Sequence, residues 1–159
     1  MDISTSSSST ATEIWQLLQE VNDPEVPVLS VIDLGIIRDV QVNDGVVEVF
    51  ITPTYTGCPA MDAISVDIRL KLIEHGYKKV KISTVLSPAW TTDWMTEAGK
   101  EKLNIYGIAP PNKLMNAPLH CPQCNSTNIS IISHFGSTAC KALYKCEDCK
   151  EPFDYFKCH

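Results

Sequence analysis

Two short cysteine pairs constrain this chain more than any other feature: Cys121-Pro-Gln-Cys124 and Cys146-Glu-Asp-Cys149, with 21 residues between Cys124 and Cys146. In a C-x-x-C turn both sulfurs can face one ion at about 2.3 Å, and two such turns complete a tetrahedron. A shell of four thiolates leaves no open coordination position, which suits a scaffold and not a metal-catalysed reaction. Cys121, Cys124, Cys146 and Cys149 are therefore read as ligands of a structural zinc in a C-terminal ribbon. An iron–sulfur or redox use of the same thiols is the alternative. A thioredoxin-like use would need one pair opening a helix, whereas both pairs here lie in short β-like sequence.

A module of about 40 residues is too small for a self-sufficient core, so the ribbon should depend on its metal. Between Cys121 and His159 stand four lysines (141, 145, 150, 157) and four acids (147, 148, 151, 154). That balance argues against nucleic acid, and the acids behind the net charge of −6 lie in the first 120 residues, where they repel phosphate and anionic membranes. No apolar run approaches the roughly 18 residues needed to span a bilayer. Residues 1–12 are Ser/Thr-rich and lack a signal peptide's basic start and apolar stretch, so a disordered tail on a cytoplasmic protein is expected. Seven cysteines without an export signal argue against a disulfide framework. Cys58, Cys140 and Cys158 are left as thiols.

The remaining sequence reads as a small α+β domain. Thr10-Ala-Thr-Glu13 fits a capping box opening a helix, with Ile14, Leu17, Leu18 and Val21 as its apolar face. Asp23-Pro24 stops that helix, and Asp23 to Pro27 forms a loop with two carboxylates. Two β-rich runs, Ile36 to Val42 and Val46 to Ile51, flank Asn43-Asp44-Gly45, a strong hairpin signal. A helix follows from Pro59, with Met61, Ile64, Ile68 and Leu72 as its buried stripe and Gly76 as its stop. Lys79 to Leu86 reads as a third strand, returning to the hairpin sheet by a crossover. The expected architecture is a helix–hairpin–helix–strand sandwich over 13–108, a proline-punctuated linker at 109–118, and the ribbon at 119–159.

Cys58 is placed at the N-cap of the second helix, where unpaired N–H groups and the dipole favour thiolate. Such a thiolate can attack an electrophile or bind a soft metal; a buried small hydrophobe is the plainer alternative. Asp23 and Glu25 either converge on that site or merely close a turn. Trp90 and Trp94 are read as core or interface. No Glu-x-x-His pair, phosphate loop or dinucleotide glycine fingerprint is present. His75, at the far end of the same helix and about 25 Å from Cys58, is poorly placed as a base.

Three blocks, Asp23-Pro-Glu-Val-Pro27, Asp33-Leu-Gly-Ile-Ile37 and Thr52-Pro-Thr-Tyr-Thr-Gly-Cys-Pro59, resemble the metal–sulfur cluster biosynthesis domain. Two more, Pro88-Ala-Trp-Thr-Thr-Asp-Trp-Met95 and Phe135-Gly-Ser-Thr-Ala-Cys-Lys-Ala-Leu-Tyr144, resemble the PaaD (PaaJ) family of phenylacetate-CoA oxygenase subunits. The resemblance runs from about Ile14 to Cys158. It implies an accessory protein that helps assemble or mature the multicomponent oxygenase that epoxidises the ring of phenylacetyl-CoA, without turning over substrate itself. It also implies a reactive thiol at Cys58, a loop acid at Asp23, and a threonine-rich loop at Thr52, Thr54 and Thr56. Cys58, with Asp23 and Thr54, would transiently hold iron or an iron–sulfur cluster. The reductase or di-iron component of the oxygenase would be the client. The rival readings are a non-catalytic structural subunit and a thiol enzyme using Cys58.

Overall fold

Asp44 and Gly45 adopt left-handed conformations, φ 50° and 77°, as a two-residue hairpin turn between right-twisted strands requires. They join strand β1 (Ile37–Asn43) to β2 (Val46–Ile51), which pair antiparallel with Val40 opposite Val49. The structure, a computed structural model, describes residues 5–55, 59–111 and 118–157. Strand β3 (Lys79–Thr84) lies parallel to β2, and helix α3 (Ala60–Glu74) makes the expected crossover. The sheet order is β1-β2-β3. Helix α1 (Thr5–Leu18) packs on β1 and α3, while α3 packs on β3. Ile14, Leu17 and Leu18 of α1, Ile64, Ile68 and Leu72 of α3, and Val47, Val49 and Ile51 of β2 are all buried.

Two helix starts differ from the sequence expectation. Helix α1 begins at Thr5, not at Thr10, so part of the expected 1–12 tail is helical. Serine and threonine are mediocre helix formers but not breakers, and the buried face of Ile14, Leu17 and Leu18 carries the helix. In α3 the N-cap is Pro59, with helical dihedrals of φ −67° and ψ −22°. Cys58, expected at the N-cap, lies outside the described residues. The buried stripe begins at Ala60, with Met61 half-buried.

The sequence reading also missed a single helical turn, α2 (Val31–Leu34). Ser30 Oγ accepts from the Asp33 N–H at 3.0 Å, and Asp33 Oδ2 accepts from the Ser30 N–H at 3.1 Å, a reciprocal capping box. Gly35 ends the turn at φ 72°. A Cβ there would sit 2.1 Å from Trp94 O, so glycine is required for both conformation and space. Trp90 Nε1–H donates to Leu34 O at 2.8 Å. Thr96 N–H donates to Asp33 O at 2.9 Å, and its hydroxyl to Asp33 Oδ1 at 3.2 Å. Two of the blocks that carry the family resemblance, around Asp33 and around Trp90, thus clasp one another.

The chain divides into two compact units, residues 1–90 with 94–96, and residues 91–93 with 97–159. The second unit begins earlier than the expected 109–118 linker. Helix α4 (Glu97–Tyr106) belongs to it, and β4 (Ile108–Ala109) pairs in parallel with Asp154 and Tyr155 of β7 (Pro152–Phe156). An apolar pair beside an otherwise open strand gains more as sheet than as linker. With β5 (Ile129–Ser133) and β6 (Lys141–Cys146) the sheet order is β4-β7-β6-β5. Tyr144 stacks on Phe153 at 6.0 Å and meets Tyr155 edge-on at 5.8 Å, the aromatic cluster expected of this module.

Candidate metal centre and thiol loop

Each C-x-x-C pair folds into the same knuckle. In the first, Asn125 N–H donates to Cys121 O at 2.8 Å, Gln123 N–H points at Cys121 Sγ at 3.4 Å, and Asn125 takes φ 64°. In the second, Cys149 N–H points at Cys146 Sγ at 3.5 Å, and Lys150 takes φ 68°. A left-handed residue directly after the second cysteine closes each turn. The knuckles meet crosswise, with Cys121 Sγ 3.7 Å from Cys149 Sγ and Cys124 Sγ 3.5 Å from Cys146 Sγ. All four sulfurs lie within 4.8 Å of one another. A tetrahedron with arms of about 2.3 Å has edges of about 3.8 Å, so the four sulfurs are spaced to share one ion.

Electrostatics point the same way. The Cys149 N–H, then that of Asp148, hold the Cys146 thiol down to about 7 despite its burial. The Glu151 N–H favours a thiolate at Cys149, but burial and the sulfurs of Cys146, Cys124 and Cys121 outweigh it and push Cys149 up to about 12. Cys124 is also raised: a Ser126 N–H favours its thiolate, but the Cys146 sulfur and burial outweigh it. Thiols this close cannot all ionise without a cation among them. Cys121 and Cys146 are buried in the core with Phe153 and Ala109, while Cys124 reaches solvent.

In the first unit Asp23 is buried, and its Oδ1 accepts the N–H groups of Glu25 at 2.6 Å and Val26 at 3.3 Å. Its carboxylate closes its own turn. Thr54 lines a cavity of about 120 Å³ with Thr52, Pro53 and Tyr55 on one side and Leu86, Ala89 and Trp90 on the other. Asp23 is not in that lining. Cys58 and Thr56 lie outside the described residues, as does Cys158. Sequence reasoning named Thr52 only as part of a threonine-rich loop. Its burial, with a hydroxyl that has no hydrogen-bond partner among the described residues, is visible only in three dimensions.

Trp90 is core, buried with its ring N–H engaged. Trp94 is half-buried, with the Arg38 guanidinium 3.8 Å from its ring centroid. Cys140 is buried, and its Sγ lies 2.9 Å from Thr138 Oγ1. A larger cleft of about 560 Å³ lies in the second unit beside α4, His120 and Asn125. It holds none of the expected site residues.

Comparison with known proteins agrees with this division. Residues 11–83 match the family model of an iron-sulfur cluster assembly protein, and residues 111–157 match the PaaD zinc beta ribbon domain. The class is thus an iron–sulfur assembly domain joined to a zinc ribbon. The chain is 49% identical over 92% of both chains to an Escherichia coli (strain K12) protein provisionally named as a subunit of 1,2-phenylacetyl-CoA epoxidase, and it belongs to the PaaD family. Over 55% of its length, and 85% of the relative's, it is 44% identical to an Fe-S protein maturation auxiliary factor of Porphyromonas gingivalis (strain ATCC BAA-308 / W83). The crystal structure of a domain of unknown function, DUF59, from Bacillus anthracis superposes with a TM-score of 0.59 at 24% identity. That likeness covers 63% of this chain and 96% of the other, and it shows the same fold. No helix among the described residues is long and apolar enough to cross a membrane.

Proposed function

We propose that this protein is an accessory assembly factor for a phenylacetyl-CoA ring-epoxidising oxygenase, and that Cys58 transiently carries iron or an iron–sulfur unit to a component of that complex. One observation carries the reading: an iron–sulfur assembly domain and a PaaD ribbon stand in a single chain whose relative is named as a subunit of the epoxidase. Two relatives that match 55% and 58% of this chain are named as Fe-S protein maturation auxiliary factors, which supports an accessory role over catalysis.

Zinc is the resident metal of this reading, held by Cys121, Cys124, Cys146 and Cys149. With all four positions filled by thiolate it supplies a fixed cross-link and no reactive site. Asp23 keeps the first loop closed, and Thr54 lines the cavity three residues along the chain from Gly57. The ribbon serves as the docking module, with the reductase or di-iron component as client, in the cytoplasm. The name of the relative as an epoxidase subunit also favours a second reading, a non-catalytic structural subunit that stays in the complex.

Metal analysis after anaerobic purification separates the two. One zinc per chain in wild type and in Cys58→Ser, with iron or acid-labile sulfide only in wild type, supports carriage. One zinc and no iron in either protein, even after reconstitution, removes the carrier role and leaves the structural subunit.

A further inference from the structure

Helix α3 carries two apolar stripes, and the fold of the first unit uses one of them. Ile64, Ile68 and Leu72 are buried where the helix packs on α1 and β3. Ala63, Val66, Leu70 and Ile73 recur at spacings of three, four and three. At about 100° per residue they lie about 180° around the helix from the buried stripe. All four are exposed, Val66 by 53%, Leu70 by 52% and Ile73 by 47%. Single apolar side chains on a surface are ordinary, but these form one continuous strip about 15 Å long. A helix that packs on one side only gives its other face to polar residues. A second apolar face, at the spacing of a helix–helix seam, is the pattern of a helix packed on both sides.

The flanks of the strip indicate what its partner carries. Asp67 and Glu74 border it on one side, Asp62 and Arg69 on the other. Beside Leu70 a groove of about 260 Å³ is lined by Glu20, Val21, Asp67 and Glu74. Its one lysine, Lys71, is engaged by Glu20. Asp62, Asp67 and Glu74 carry no ion pair among the described residues. Three acids against one arginine therefore frame the apolar strip. A second copy of α3 fits it poorly: antiparallel, Asp67 and Glu74 would meet the same acids of the other helix, and parallel, Asp62 would meet Asp67. In paired helices these flanking positions select the partner by opposite charge, so the complementary surface is apolar with basic flanks.

We propose that this outward face of α3 docks an amphipathic helix of an oxygenase component, one with apolar residues at the matching spacing and lysine or arginine on its flanks. This rests on the accessory reading above and adds a contact of the first unit to the docking given to the ribbon. The test measures binding of the full chain to the purified reductase and to the purified di-iron component. It compares wild type with Leu70→Asp, with Asp67→Lys combined with Glu74→Lys, and with Arg69→Glu. The substituted side chains are all exposed, so every variant should melt within about 2 °C of wild type. Against one component, Leu70→Asp is expected to raise Kd by at least about tenfold. The double charge reversal should slow association severalfold, and wild-type binding should weaken as salt rises. Arg69→Glu, which leaves the strip framed by acids alone, should bind at least as tightly as wild type, whereas mere disruption of the surface would weaken all three variants. Leu70→Asp binding at the wild-type Kd overturns the inference. So does a double reversal that binds no more weakly, or an Arg69→Glu that binds less well. A wild-type dimer that Leu70→Asp dissociates overturns it as well, since a second copy then covers the face. A wild type that binds neither component removes the accessory reading, and this inference falls with it. Wild-type binding that no α3 variant alters removes this inference alone.

Discussion

Substituting Gly35 by alanine isolates how the Asp33–Ile37 block and the Trp90–Thr96 segment hold one another. The new Cβ would lie 2.1 Å from Trp94 O, 2.6 Å from Trp94 C and 2.8 Å from Trp94 Cβ. Carbon contacts settle at about 3.5–4.0 Å, so the Trp94 backbone must retreat by more than an ångström. That retreat strains three hydrogen bonds: Trp90 Nε1 to Leu34 O, Thr96 N to Asp33 O, and Thr96 Oγ1 to Asp33 Oδ1. At about 1 kcal/mol each, plus about 1–2 kcal/mol for a Cβ at φ 72°, the expected loss is about 4–5 kcal/mol. Gly45→Ala is the control. Its φ of 77° is as left-handed, but nothing lies within 4 Å of the added Cβ, so only the conformational cost of about 1–2 kcal/mol applies. Urea unfolding followed by tryptophan fluorescence compares the two in one assay. If Gly35→Ala loses no more stability than Gly45→Ala, the close approach does not hold the clasp, and the reasoning fails.

Asp33→Ala removes the carboxylate that accepts from Ser30 N–H and Thr96 Oγ1–H, and should cost about 2–4 kcal/mol in the same assay, since bonds to charged acceptors are the stronger ones. Zinc affinity should rise steeply with pH. Cys124 and Cys149 have raised thiol pKa values, Cys149 at about 12, so both hold protons at neutral pH that the ion must displace. Each contributes about tenfold per pH unit, giving at least about a hundredfold between pH 7 and 8 in a competition titration; a flat profile would show that these thiols are already ionised. Chelation should abolish the protection of β5–β7 amides in hydrogen exchange while leaving β1 and β2 protected, because each unit has its own sheet.

Much of this protein was legible in one dimension because its signals are local. The Asn43-Asp44-Gly45 turn, the period of Ile64, Ile68 and Leu72, and the stop at Gly76 each depend on backbone preferences within a few residues. The same holds for the two knuckles, since C-x-x-C followed by a residue tolerant of a left-handed turn suffices to aim two sulfurs at one point. Only tertiary structure decided the rest. It paired Ile108–Ala109 with β7, where the sequence shows only the start of a proline-rich stretch. It buried Trp90 against the α2 turn and left Trp94 half-exposed. Above all it enclosed the Thr52 hydroxyl without a partner among the described residues, because whether a polar atom is satisfied depends on neighbours distant in the chain, and no spacing rule records them.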